Sequence, residues 1–153
     1  MINIISFNSS LAKNFRDLNL EWLEQFFKVE PKDKLLLEDC ESEIVDKGGF
    51  IFFALMDESV VGCFALIKVS ETVFELGKMA VDPTYQGNNI GQQLLVYALN
   101  FCKKMKCEKL MLYSHIKLKA AIHIYRKYGF IEVPLEAETP YNRSNIKMVL
   151  SFN

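Results

Sequence analysis

The sequence holds no Cys-x-x-Cys pair and only two histidines, His115 and His123. Its four cysteines, Cys40, Cys63, Cys102 and Cys107, stand apart with no histidine at ligand spacing. Reduced, buried thiols are therefore expected, and no metal. Neither sign of charge prevails: 18 Lys and Arg against 19 Asp and Glu leave −1, so no basic field argues for nucleic acid. The longest uninterrupted apolar run, Phe50 to Met56, falls far short of a bilayer's thickness, and no membrane partner is expected. The opening MINIISFNSS lacks a basic region followed by an apolar stretch, so no signal peptide is expected and the cytoplasm is the expected compartment. No glycine pair is followed by Lys-Ser/Thr, and neither G-x-G-x-x-G nor G-x-S-x-G occurs. Those absences argue against P-loop, dinucleotide-binding and serine-hydrolase chemistry.

What is present is an ordinary globular composition, 50% apolar and 24% charged over 153 residues. It is enough for one domain spanning 1–153 with a substantial core. Ile2 to Phe7 alternates as a short strand, and Ser9 or Ser10 can cap the helix that follows. Leu11, Phe15, Leu18, Trp22 and Phe26 recur at helical spacing, which reads as core packing. Pro31 restarts a helix that runs through Leu35, Leu36, Asp39 and Ile44 until Gly48-Gly49 ends it. Residues 50–56, 60–69 and 73–81 form a three-strand meander rich in β-branched and aromatic side chains. Strict alternation would place Val73, Glu75, Gly77, Met79 and Val81 on one face, with Gly77 marking either a bulge or a close approach. A helix over 89–105, a strand over 108–114, a helix over 118–128 and strands over 130–135 and 146–152 complete the chain. The expected fold class is α/β: a mixed, mainly antiparallel twisted sheet of six to seven strands with helices on both faces.

The stretch Met79 to Leu95, MAVDPTYQGNNIGQQLL, runs from a strand through a polar turn into an amphipathic helix. A helix N-terminus presents unpartnered N–H groups and partial positive charge, a ready site for phosphate. Glycines at such a turn also occur merely to relieve crowding, and spacing alone leaves both readings open.

Gln86-Gly87-Asn88-Asn89-Ile90-Gly91 resembles the acetyl-CoA signature of the GCN5-related N-acetyltransferases (GNAT), Arg/Gln-x-x-Gly-x-Gly/Ala. Asn89 stands at the family's glycine, and Asn is among the residues most tolerant of positive φ. Downstream, Ala121 to Phe130 resembles the family's A-x-x-x-Y-x-x-x-G-F segment, in the expected order and separation. Leu118 stands where the family often has Asn. The resemblance covers roughly residues 50 to 152 and implies the acyl-CoA N-acyltransferase fold. The core sheet and acetyl-CoA site would lie in 50–152, and a helical region bordering the acceptor in 1–49.

The resemblance further implies an N-acetyltransferase that moves an acetyl group from acetyl-CoA to a primary amine. The acceptor would be a small molecule, amino acid or peptide, attacked directly in a ternary complex without a metal. Gln86, Gly87, Asn88, Asn89, Ile90, Gly91 and Gln92 would bind pyrophosphate through their backbone. Met79, Ala80 and Val81 would pair with the pantetheine arm in a gap between the strands at 73–81 and 108–114. Tyr125 falls on the general-acid position, although its spacing with Leu118 and Ile122 equally suits a core aromatic. Glu75 falls where some members carry the general base, or serves as a structural carboxylate. His115 ends a strand near the expected acceptor, either as a proton acceptor or as a loop cap. Lys119, Arg126 and Lys127 could meet a 3′-phosphate or simply be surface charges. Tyr141 and Arg143 lie in a loop that often lines the acceptor site in this family, which commonly forms homodimers. The rival reading is a non-catalytic member that binds CoA or another protein.

Overall fold

Residues 2–152 are described by the structure, a computed structural model; Met1 and Asn153, the ends of the expected domain span, lie outside the described residues. Seven strands form one sheet: β1 (Asn3–Ser6), β2 (Phe50–Met56), β3 (Ser59–Lys68), β4 (Val73–Val81), β5 (Lys109–Ser114), β6 (Ile131–Val133) and β7 (Ile146–Ser151). Their spatial order is β1-β2-β3-β4-β5-β7-β6. Only β4 and β5 run parallel. That pair is joined by α3 (Ile90–Lys104), as a parallel connection requires. The remaining helices are α1 (Ala12–Phe26), α2 (Pro31–Glu38) and α4 (Lys119–Lys127).

Neighbouring side chains of a strand point to opposite faces, and this splits the core in two. Phe52, Phe64, Leu76, Leu110 and Met148 pack with Leu94, Leu95 and Ile122 of α3 and α4. Phe53, Cys63, Ala65 and Ala80 pack with Phe15, Leu23, Leu36 and Leu37 of α1 and α2. The adjacent Phe52 and Phe53 thus belong to different layers. All four cysteines are buried and unpaired. No helix among the described residues is long and apolar enough to cross a membrane.

Most elements fall where periodicity puts them, with three corrections. Asn8, not Ser9 or Ser10, makes the first cap: its Oδ1 accepts the Ser10 N–H at 3.0 Å and heads a short 3-10 turn, Ser9–Leu11, that feeds α1. The helix begun by Pro31 does not run unbroken to Gly48. Asp39 leaves the helical region at φ −122° and ψ 43°, and a π-helical turn, Glu41–Val45, carries the chain to Gly49. A side chain at Gly49 would strike the carbonyl oxygens of Leu66 and Ile44, so the backbone can pass there only as glycine.

The third correction matters most. Against β3, Cys63 opposes Ala80 but Ala65 opposes Gly77, so β4 carries one extra residue between these positions. Lys78, at φ +52°, absorbs it. The bulge foreseen at Gly77 is therefore real, and it reverses the alternation. Glu75 no longer shares a face with Met79 and Val81. These two pack toward α3 with Phe74 and Leu76, while Ala80 packs toward α1.

Leu94 is fully buried where α3 crosses the sheet. Leu94→Ala should lower unfolding free energy by about 3 kcal/mol, with an unchanged denaturant slope, in urea titration.

Candidate functional site

Parallel pairing of β4 with β5 covers only Val73–Lys109, Phe74–Leu110 and Glu75–Met111. Beyond Glu75 the two strands part, and from Leu76 to Val81 this edge of β4 faces no strand. The opening is a cavity walled by Glu75, Met79 and Lys78 of β4, Tyr113 of β5, Tyr125 of α4, and Trp22 at the C-terminal part of α1. Tyr141 and Arg143, in the loop between β6 and β7, close its far side.

Glu75 is 7% exposed; no described residue donates to its carboxylate, whose oxygens open onto the cavity instead of being sealed in protein. Burial raises its pKa; the charges of Lys32, Lys78 and Lys147 oppose this, and Glu136 adds to it. Tyr125 stacks obliquely on Phe130 at 5.7 Å, and burial pushes its phenol up to about 12. Its hydroxyl likewise has no protein partner among the described residues and opens onto the cavity that the ring lines.

The turn into α3 lies beyond the far end of β4, past a 3-10 turn, Pro83–Tyr85, in which Asp82 Oδ1 accepts the Thr84 N–H at 2.9 Å. Gly87 sits at φ +90° and Asn89 at φ +55°, ψ 28°, the left-handed conformation foreseen for an Asn in the glycine position. Side chains brace the turn from behind: Asn88 Nδ2 donates to Tyr85 O at 2.8 Å, and Gln93 Nε2 to Asn88 O at 3.0 Å. The first intrahelical bond runs from Gln93 N–H to Asn89 O. The amides of Gly87, Asn88, Asn89, Ile90, Gly91 and Gln92 find no acceptor among the described residues. A Cβ on Gly87 would meet nothing within 4 Å, and one on Gly91 only Val81 Cγ2 at 4.0 Å. This pocket of free N–H groups with room above it fits an anion.

A model described as the acetyltransferase (GNAT) family matches residues 14–130. This chain belongs to the GNAT family. Among curated relatives, the uncharacterized N-acetyltransferase YvbK of Bacillus subtilis is 27% identical over 120 residues, covering 76% of this chain and 77% of that one. N-alpha-acetyltransferase 30 of Saccharomyces cerevisiae is 31% identical over 58 residues, 38% of this chain and 33% of its own length. The mycothiol acetyltransferase of Saccharopolyspora erythraea is 30% identical over 100 residues, 65% of this chain and 32% of its own. The matched part is thus about a third of the last two relatives. A GNAT-family acetyltransferase structure from Staphylococcus aureus Mu50 superposes over 100% of both chains with TM-score 0.87 and 26% identity. The PaiA N-acetyltransferase of Thermoplasma acidophilum, solved in complex with coenzyme A, shares the fold at TM-score 0.76 and 19% identity, covering 99% of each chain.

In this GNAT chain the far wall of the cavity rests on an ionic knot whose centre is the N-terminal turn of α2. Asp33 is fully buried. It receives Arg143 Nη1 and Nη2 at 2.7 and 2.9 Å, the Glu30 N–H at 2.8 Å, and Lys78 Nζ. Glu30 takes Arg143 Nη1 at 3.2 Å and the Asn142 N–H at 2.8 Å. Tyr141 lies beneath both cations, 4.5 Å from Lys78 Nζ and 4.4 Å from the Arg143 guanidinium. One carboxylate thus fixes the bulge of β4 and the β6–β7 loop together. Burial alone would raise the Asp33 pKa, but the Arg143 hydrogen bonds, the Lys78 charge and the Glu30 N–H lower it to about 2.

Of the residues singled out in the sequence, Glu75, Met79 and Tyr125 reach the cavity, as do Tyr141, Arg143 and His115. Ala80 is buried against α1, and Val81 and the 86–92 turn lie outside the cavity lining. His115 Nδ1 accepts the Lys117 N–H at 3.0 Å, a loop-capping contact. Lys119, Arg126 and Lys127 are exposed. Sequence reasoning missed Lys78 altogether. The available signal was a lone lysine inside an apolar strand.

The folded-state pKa of Asp33 lies below its ordinary 3.8. Its stabilising contribution is therefore complete above that value and is lost as pH falls through about 2. Asp33→Asn should remove this part of the acid limb of the stability profile. At neutral pH it should cost about 3–5 kcal/mol, because Lys78 is left buried and unpaired; urea titration between pH 2 and 7 reads both.

Proposed function

We propose that this chain transfers an acetyl group from acetyl-CoA to the primary amine of a small molecule, amino acid or peptide, by direct attack within a ternary complex. The observation that carries the reading is the parting of β4 from β5. It leaves a strand edge, a buried unpaired carboxylate and an unpaired phenol around one cavity, with a turn of free amides beyond the end of the same strand. The names of several relatives include N-acetyltransferase activity, and the Thermoplasma neighbour was solved with coenzyme A.

In this reading the free amides of Gly87 to Gln92 take the pyrophosphate, Gln86 N–H being held by Pro83 O, and the free edge of β4 at Met79, Ala80 and Val81 pairs with the pantetheine arm as an added strand would. When bound, acetyl-CoA supplies a thioester carbonyl. A backbone N–H of β4 polarises it, a preorganised donor at the developing negative charge. Glu75 accepts the proton of the arriving ammonium, because only the neutral amine attacks. A raised pKa suits a carboxylate to that task. The C–N bond forms and the C–S bond breaks. The Tyr125 hydroxyl, held protonated through the neutral range by its raised pKa, donates to the departing sulfur, and the second proton that the nitrogen sheds on becoming an amide restores the phenol. Burial in the same cavity raises the thiol's affinity for the proton too, which keeps the donor and the leaving group matched.

Isothermal titration with acetyl-CoA should give micromolar-range binding to the wild type and none to Gly91→Trp, whose indole fills the open space over the turn. Binding retained in Gly91→Trp refutes the placement. Absence of binding by folded wild-type protein refutes the activity. Tyr125→Phe should reduce kcat by about 10²-fold with acetyl-CoA affinity unchanged.

The group Glu75 must be ionised to accept a proton, so kcat/KM should rise with pH on an acid limb displaced above the ordinary carboxylate range. Glu75→Gln should abolish that limb and lower the plateau. An identical limb in the variant assigns the base elsewhere.

A further inference from the structure

Resting on that reading, the charges around the cavity narrow the acceptor. Three ionisable side chains of fixed sign line it: Glu75, Lys78 and Arg143. Both cations are already engaged. Asp33 takes Lys78 and both terminal nitrogens of Arg143, and Glu30 takes Arg143 again at 3.2 Å. Lys78, Arg143, Asp33 and Glu30 therefore cancel, and among the described residues Glu75 is left as the single charge of fixed sign in the lining without a partner. The other charged groups that face it are spoken for or in solvent. Lys147 is paired with Glu136, and Lys32 is exposed on α2, 5.3 Å from the Tyr141 ring. Trp22, Leu23, Phe27 and Tyr113 give the acceptor side a largely aromatic wall, and its polar members, Asn19, Ser114, Ser144 and His115, bring no carboxylate or ammonium. Trp22 and Phe27 lie against each other at 5.7 Å.

We propose that the acceptor is a monocationic primary amine on an apolar, carboxylate-free body. Asp33 and Glu30 enforce that choice by occupying the two basic side chains that would otherwise receive a carboxylate. The ammonium meets Glu75, and the body lies along the Trp22–Phe27 wall. An α-amino acid would bring a second carboxylate into a cavity whose only unpaired charge is already negative, where like charges are strongly disfavoured. A polyamine would bring further cations, for which the lining holds no unpaired carboxylate. This assigns Glu30 a specificity role through Arg143, since Glu30 is not among the side chains that line the cavity.

Thiol release from acetyl-CoA tests this with three acceptors: phenethylamine, phenylalanine, which differs from it only by the carboxylate, and spermidine. The expected kcat/KM for phenethylamine exceeds that for phenylalanine by about 10²-fold, and that for spermidine by about tenfold or more. Glu30→Gln frees one side of the Arg143 guanidinium. The ratio of phenethylamine to phenylalanine should then fall at least tenfold, through improved use of phenylalanine. A merely structural role for Glu30 would slow both acceptors alike and leave the ratio unmoved, which would overturn the specificity assignment. Turnover with phenylalanine or spermidine equal to or above that with phenethylamine would overturn the acceptor class while leaving the acetyltransferase reading intact. Acetyl-CoA binding with no turnover on any amine would overturn both.

Discussion

Two parallel strands that share a ladder must keep sharing it or leave main-chain donors and acceptors to something else. Here β4 and β5 share it through Glu75 and Met111 and then separate. The groups freed along Leu76 to Val81 lie at the edge of a sheet that is otherwise continuous from β1 to β6. An unpaired edge in the middle of a sheet is a place where an extended molecule can be received by backbone alone. The rest of the site follows from this parting. Tyr125 approaches from α4, Trp22 from α1, and the β6–β7 loop bridges the remaining side.

A gap of this kind needs its walls held, since the strands themselves no longer hold each other. Asp33 supplies that restraint with four donors on one buried carboxylate. It joins a helix, a strand bulge and a distant loop, and Glu30 ties the head of that helix to the loop a second time. The conformation of Lys78, φ +52° for a side chain with a Cβ, is unfavourable in isolation. It persists because the ammonium is drawn to Asp33 and laid over Tyr141. Buried ion pairs are costly to desolvate, and their best-attested value is in fixing one arrangement among several. Fixing the bulge and the loop in a common register fits that use.

Much of this was legible in the sequence. Alternation and helical spacing located nearly every element, and the Gln86–Gly91 turn and the Tyr125 segment identified the family, later matched over residues 14–130. Asn89 could be assigned its left-handed backbone from residue chemistry alone. What stayed hidden has a common cause. The face reversal in β4 arises from one extra residue against β3; Gly77 hinted at irregularity there, but a period of two carries the alternation straight through it. The knot joins Asp33 to Arg143 across 110 positions, so no local spacing records it. Asp33 also stands in the first turn of α2, where an acid has a local reason to be and gives no sign of a distant partner. The cap at Asn8 was misplaced by a residue or two because Asn and Ser compete for the same role with the same chemistry.

From β1 to β4 the sheet is covered by side chains on both faces, with Phe52 buried on one and Phe53 on the other. It is therefore a partition, and the gap beyond Glu75 is a window cut in it. The amide-lined turn opens at the end of β4, whereas the aromatic wall of Trp22 and Phe27 is the C-terminal end of α1 itself. In the proposed transfer, acetyl-CoA and its acceptor would therefore reach this window by separate doors.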